Sequence, residues 1–320
     1  MGIFLYILLN NIAPIIFILL LGFLLGKKFS IDISTLTKLN FYIYVPFFIF
    51  MQIYTTDMLG DVWKILLFAL LLAVLNHLAS HLIARIRGYS PSLKNAFVNS
   101  IMFYNSGNIG IPLITLVFSS APFAMNGQTP YLTAALMTQV IILIVQNIST
   151  NTVGFFNATK GSMSWRTSLI SILKMPTIYA IPLAFLLKAL PFSLESFPLW
   201  PALGYLKEGL IAFALLTLGV QLSRTKFSFR NRDVYLSNLV RLVGGPVFAY
   251  LLILLLGLKG IPAQTLMISS SLPTAVNTAL IAVDRNNEPD FACQAVMTAT
   301  IFCSITLVFV IYVARILFPY

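Results

Sequence analysis

Ten apolar stretches, each about as long as a bilayer is thick, leave this chain of 320 residues few ways to fold. A hydrocarbon core of about 30 Å takes about 20 helical residues, and windows of that length fall at 3–26, 36–54, 62–86, 93–119, 131–156, 169–190, 201–222, 234–258, 263–283 and 291–318. With 59% hydrophobic and only 9% charged residues and a mean hydropathy of +0.92, the chain could not clothe a soluble globule in polar surface. The class that remains is an all-α polytopic membrane protein with ten transmembrane helices.

The first stretch has no charged residue before it and is followed by Lys27-Lys28 instead of a small-residue cleavage site, so it reads as a span and not as a signal peptide. If the N-terminus is extracytoplasmic, one side of the membrane receives Lys27, Lys28, Lys38, Arg85, Arg87, Lys94, Lys160, Arg166, Arg224, Lys226, Arg230, Arg232 and Arg285. The other receives Lys64, Lys188, Lys259 and Arg315, while Lys174, Lys207 and Arg241 fall within spans. The positive-inside rule then puts the larger set in the cytoplasm and both termini outside. The net charge of +11 is thus a topology signal, and no nucleic-acid partner is expected. Cys293 and Cys303 lie in the last span, where no disulfide is expected.

Two spans are interrupted in corresponding places, at Tyr104-Asn105-Ser106-Gly107-Asn108-Ile109-Gly110-Ile111-Pro112 and at Leu272-Pro273-Thr274-Ala275-Val276-Asn277-Thr278. Backbone freed by such breaks is tolerated at membrane depth only where protein or a water-filled cavity satisfies it. In secondary carriers that place is the substrate site, and the N-terminal ends of half-helices there carry partial positive charge suited to an anion. Asn105, Ser106, Asn108, Asn277 and Thr278 would add neutral donors and acceptors at the same depth. The plainer reading of one such break is a packing kink; two placed symmetrically, each with an amide, favour a binding site.

Ten spans divide into two fives, and an odd number per half means that homologous halves are inverted in the membrane. Pro14…Phe23-Leu24-Leu25 matches Pro176…Phe185-Leu186-Leu187 at an offset of 162, Lys38 and Gln52 match Lys207 and Gln221 at 169, Pro91 matches Pro262 at 171, and Pro112 matches Thr278 at 166. The expected organisation is a repeat over 1–157, a short cytoplasmic linker over 158–168, and an inverted repeat over 169–320.

These residues resemble the auxin efflux carrier family. Asn105 followed five residues later by Gly110-Ile111-Pro112-Leu113 looks like its fourth-span crossover, Leu136-Met137-Thr138-Gln139-Val140 resembles its fifth-span glutamine motif, and Val240-Arg241…Gly245-Pro246 is similar to its eighth-span Val-Arg…Gly-Pro. Gly257-Leu258-Lys259-Gly260 and the segment from Leu272-Pro273 to Pro289-Asp290 continue the likeness. The resemblance implies two inverted five-helix repeats, crossed broken helices 4 and 9, a scaffold bundle (spans one, two, six and seven) carrying a homodimer contact, and a transport bundle that moves like an elevator. By motif it places Asn105, Ile111-Pro112 and Thr278 around a substrate carboxylate and Gln139 in support. Gly110, Pro273 and Val276 complete the expected crossover set. The chain departs from the plant exporters at Thr278, where they have a second proline. Their third-span acidic residue and lysine are also missing over 68–83, where Asn76, His77 and His81 are the polar residues instead, and the long hydrophilic loop is absent. These departures suit a bacterial inner-membrane permease.

His77 and His81 share a helix face four residues apart and could relay protons, although a plain hydrogen-bonding role is the commoner one. Arg241, about eight residues inside its span, lies near enough to the surface to snorkel; a carbonyl partner and an anion-steering role weigh evenly. Lys207 and Glu208 read as a scaffold contact, and Tyr42, Tyr44 and Tyr54 as interface anchors. The sequence contains no paired intramembrane aspartate, His-Glu-x-x-His, Gly-x-Ser-x-Gly, cysteine-rich metal spacing or Walker loop. The expectation is therefore a non-enzymatic secondary transporter of small organic anions, without cofactor, its partners being a small carboxylic acid, the bilayer and a second copy. A sodium- or proton-coupled symporter, a channel and a non-transporting sensor of the same fold are the alternatives.

Overall fold

The computed structural model describes residues 2–56, 60–159, 166, 170, 172–225 and 231–320. Within them the chain is helical apart from short connections and two isolated bridges. In order run α1 (Ile3–Lys28), α2 (Ile33–Thr55), α3 (Val62–Ile86), α4 (Pro91–Met102), α5 (Ser106–Phe118), α6 (Leu132–Ala158), α7 (Pro176–Lys188), α8 (Trp200–Ser223), α9 (Arg232–Leu255), α10 (Gly260–Ser270), α11 (Val276–Asp284) and α12 (Pro289–Leu317). Seven of these, α1, α2, α3, α6, α8, α9 and α12, are long and apolar enough to cross a membrane. The stretches 93–119 and 263–283 are each two short helices, α4/α5 and α10/α11, separated by extended backbone. Of the stretch 169–190, α7 is the described helix; most of the expected linker over 158–168 lies outside the described residues.

Side-chain oxygens start several helices. Asp32 accepts from the amides of Ser34 and Thr35, both at 3.1 Å, Ser90 from Leu93 at 3.3 Å, and Asn231 from Asp233 at 3.0 Å, each satisfying orphan N–H groups of a first turn. Wide, π-helical turns interrupt long helices at Leu8–Ile12, Asn40–Tyr44, Thr150–Gly154 and Val240–Gly244, and a fifth, Ser106–Gly110, opens α5. Four of the five are followed, two residues on, by a proline: Pro14, Pro46, Pro112 and Pro246. Proline removes one N–H and its ring crowds the carbonyl four residues back; widening the preceding turn by one residue relieves that crowding.

Packing sorts the helices into two groups. In one, α8 lies along α1, and α7 and α8 both pack on α2. The α1–α8 approach is close because Gly22 and Gly219 have no side chain: a Cβ on Gly219 would stand 2.1 Å from the Leu19 carbonyl oxygen, and one on Gly22 would stand 2.2 Å from that of Leu216. Small residues set helix separation in lipid, where apolar surface alone gives no preference for protein over hydrocarbon. In the other group α3, α4, α5, α6, α9, α10, α11 and α12 pack around the two broken helices. Large apolar side chains such as Leu24, Leu186, Leu255 and Ile305 are exposed on the outside, as a lipid-facing surface requires.

Tyr44 and Tyr54, expected as interface anchors, are packed inside the first group. Tyr44 stacks on Phe213 at 4.4 Å; Tyr54 is buried beside Trp200 and its hydroxyl accepts from the Leu194 amide at 2.8 Å. Tyr42 is exposed, and both cysteines are free.

Candidate functional site

The two interruptions meet. After α4 the chain runs extended through Phe103–Asn105, after α10 through Pro273–Ala275, and the segments pair antiparallel at Tyr104 and Thr274. The Asn105 amide donates to the Pro273 carbonyl at 2.8 Å and the Ala275 amide to the Phe103 carbonyl at 3.0 Å. Each break thus satisfies backbone groups of the other that hydrocarbon could not satisfy. The bridge sets the register of the two breaks at 274 − 104 = 170. Asn108 and Thr278 each lie four residues beyond their bridge residue.

Around the crossing, buried polar side chains take the remaining backbone groups. Gln146 Oε1 accepts from the Tyr104 amide at 3.2 Å, and Thr274 Oγ1 donates to the Ser100 carbonyl at 2.7 Å. Gln139 Nε2 donates to the Ser106 carbonyl at 2.8 Å, and Asn105 Oδ1 caps α5 by accepting from the Asn108 amide at 3.1 Å. Helix α11 begins without a side-chain cap, so its first N–H groups are open to whatever lies in front of it. The amide nitrogen of Asn105 is buried and has no partner.

In front of both restarting helices is a cavity of ≈ 40 Å³ whose wall includes Asn40, Tyr104, Asn105, Ser106, Gly107, Asn108, Gln146, Asn147, Thr150, Val276 and Asn277. Asn40 belongs to the α1/α2/α7/α8 group and donates from Nδ2 to Asn108 Oδ1 at 2.9 Å, so the wall is shared between the two groups. Through Phe41 and Asn277 the cavity adjoins a wider vestibule of ≈ 340 Å³ lined also by Lys38, Asn151, Lys174 and Asp284.

Of the residues expected at the site, Asn105, Ser106, Asn108, Val276 and Asn277 line the cavity. Gly110, Ile111, Pro112, Gln139, Pro273 and Thr278 stand behind that wall. A Cβ on Gly110 would lie 2.3 Å from Gln139 Nε2, Pro112 follows the wide turn at Ser106–Gly110, the Pro273 carbonyl holds Asn105, and Thr278 Oγ1 donates to the Ala275 carbonyl at 2.7 Å. They shape the cavity and do not face it. Asn40, Gln146, Asn147 and Thr150 were not anticipated. The polar run Gln146-Asn147 with Ser149-Thr150-Asn151-Thr152 is the signal that could have marked the last three.

Arg241 does not snorkel. It is fully buried, Nη1 donating to the Ile101 carbonyl at 2.7 Å and Nη2 to the Ser270 carbonyl, with its guanidinium 4.7 Å from the centre of the Tyr104 ring. The wide turn at Val240–Gly244 contains it, and its partners are these two carbonyls. His77 and His81 sit with ring centres 4.4 Å apart on α3, each with an unpartnered Nδ1. They line neither the cavity nor the vestibule. Asn76 beside them is fully buried with both amide atoms unpaired. Among the described residues no group of three or more His, Cys, Asp or Glu is placed to hold a metal.

Long apolar helices, two of them broken and tied back to back at a small polar cavity, define an integral membrane transporter. The chain belongs to the family described as membrane transport protein, whose pattern matches residues 7–165 and 160–311. This is the auxin efflux carrier family that the motifs resembled. A protein of Methanothermobacter thermautotrophicus described as an uncharacterized transporter is 24% identical over 311 residues, covering 93% of this chain and 95% of its own length.

Proposed function

We propose that the protein is a secondary transporter of small organic anions, carboxylates such as malate, malonate or auxin-like acids, moved by alternating access through an elevator motion. The observation that carries this reading is the pairing of the two breaks, which turns the starts of α5 and α11 toward one cavity. A half-helix start carries about half a positive charge, so two of them can meet a carboxylate without a cationic side chain in the cavity wall. The cavity of ≈ 40 Å³ suits a single carboxylate head. The body of the acid extends into the vestibule past Lys38 and Lys174, whose charges raise the local concentration of anions.

The group α1, α2, α7 and α8 is the scaffold and the group around the breaks is the transport bundle. Its displacement requires the Asn40–Asn108 hydrogen bond to open. Ten spans in two inverted repeats, 1–157 and 169–320, accord with the packing and with a register near 170. The thirteen-cation side, which includes Lys38 and Arg224, is cytoplasmic, both termini are extracytoplasmic in a bacterial inner membrane, and two copies associate through the scaffold. Proton coupling of the same cycle draws support from the unpartnered imidazole nitrogens of His77 and His81.

Uptake of radiolabelled malate, malonate and indole-3-acetate into proteoliposomes, under imposed proton, sodium and voltage gradients, tests the reading. Saturable accumulation or exchange of one of these acids is expected. Binding without movement of label would make the protein a sensor.

A further inference from the structure

Four helix ends converge at the crossing, and they differ in sign. The C-terminal ends of α4 and α10 present carbonyls without a partner in their own helices, while the N-terminal ends of α5 and α11 present first-turn amides, of which the neutral Asn105 side chain caps that of Asn108. Each end is equivalent to about half an elementary charge. Left alone, two negative and two positive ends within one small region would cancel, and an anion would gain little from entering it.

Arg241 breaks that balance. Its two terminal nitrogens donate separately to the Ile101 carbonyl in the last turn of α4 and the Ser270 carbonyl at the end of α10. One planar fork thus spans both negative ends, a geometry that an ammonium cannot reproduce. No carboxylate pairs with the guanidinium among the described residues. Room for it is specific as well: a Cβ on Gly245 would stand 2.3 Å from Arg241 Nη2 and 2.6 Å from the Ser270 carbonyl oxygen. On its other side the guanidinium lies over Tyr104, and Tyr104 lines the cavity.

We infer that Arg241 is the residue that makes the crossing selective for anions: it neutralises the two helix C-termini so that the two N-termini facing the cavity act uncompensated. It is a positioning residue that does not touch substrate. Two C-terminal ends together equal about one negative charge, which one guanidinium offsets; the two N-terminal ends that remain equal about one positive charge, the complement of a single carboxylate. The inference rests on the cavity being the substrate site. It deepens that reading by separating recognition of charge from recognition of shape.

The experiment compares binding of malate, malonate and indole-3-acetate with that of the neutral malonamide and indole-3-acetamide, by competition and thermal shift on full-length protein in nanodiscs. Wild type is expected to prefer at least one acid over its amide. Removing a unit charge within about 10 Å of an anion, at an effective dielectric of about 20, changes affinity by roughly tenfold or more. Arg241→Gln should therefore lose the preference by about that factor while binding amides as wild type does, and Arg241→Lys should retain part of it. If Arg241→Gln fails to fold, Gly245→Ala displaces the guanidinium without deleting its charge and should also erode the preference. Equal loss of acid and amide binding in these variants, or an undiminished preference in a folded one, overturns the inference. A wild type with no preference for any acid overturns the site reading itself.

Discussion

Asn105 performs two separable tasks, and substitutions can divide them. Its Oδ1 caps α5 by accepting from the Asn108 amide at 3.1 Å, while its unpartnered Nδ2 belongs to a residue of the cavity wall. Asn105→Ala removes both; loss of such a cap costs about 1 kcal/mol, which a folded transporter survives as a small drop in melting temperature. Asn105→Asp keeps an acceptor for the cap and places the new negative charge at a helix start, where it is stabilising. For a carboxylate substrate the same charge is repulsive: unit charges about 4 Å apart at an effective dielectric of about 20 interact by ~4 kcal/mol, hundreds-fold or more in affinity. Asn105→Asp should thus melt at or above the wild-type temperature yet take up no labelled acid, whereas Asn105→Ala should melt slightly lower with weakened uptake. Detergent melting curves and proteoliposome uptake at about pH 8, where the aspartate is ionised, make the comparison. Wild-type uptake by Asn105→Asp would refute the argument that an anion occupies the cavity.

At the α1–α8 crossing, Gly219→Val should lower stability by about 1–3 kcal/mol through overpacking, because its Cβ would lie 2.1 Å from the Leu19 carbonyl oxygen; an unchanged melting temperature would contradict the close approach. Gly110→Ala should displace Gln139 from the Ser106 carbonyl, and Gln139→Ala in the same chain should recover part of the loss. Additive melting shifts across that double-mutant cycle would show the two positions to be uncoupled. The Asp32 carboxyl is held below its usual value of 3.8, first by the Thr35 hydroxyl and then by the amides of Ser34 and Thr35. A depressed folded-state value means that the stability it contributes is present above pH 3.8 and fades as pH falls below that, through the folded-state value. The melting-temperature gap between wild type and Asp32→Ala should accordingly stay constant from about pH 7 to 5 and shrink in more acid buffer; a gap that widens on acidification would reverse the assignment.

Interruption of two spans was legible because glycine, proline and small amides are conspicuous among leucines, and length alone located the long helices. Facing was far less legible. Spans surrounded partly by protein and partly by lipid are apolar on all sides, so periodicity did not mark Asn40, Gln146, Asn147 or Thr150 as neighbours of the breaks; helix packing brings them there. Arg241 was misplaced for a related reason. Counting residues from the end of a span measures depth, but depth does not say whether a side chain turns outward to the interface or inward to a pair of carbonyls.

The wide turns have a consequence for how such a chain tolerates change. A helix advances about 100° per residue, and a π turn holds one residue more than the ordinary winding does, so everything beyond it is rotated by that much relative to everything before. All five turns contain a buried polar residue: Asn11, Asn40, Ser106, Thr150 and Arg241. The four turns inside long helices therefore work as phase shifters, letting one polar side chain point inward while the apolar faces on either side stay in step with their separate neighbours; Ser106–Gly110 opens its helix instead. Deleting a single residue there would cost little helix, yet it would swing one arm of the span out of phase with the other. Length variation should accordingly be far better tolerated in the loops than within these five turns.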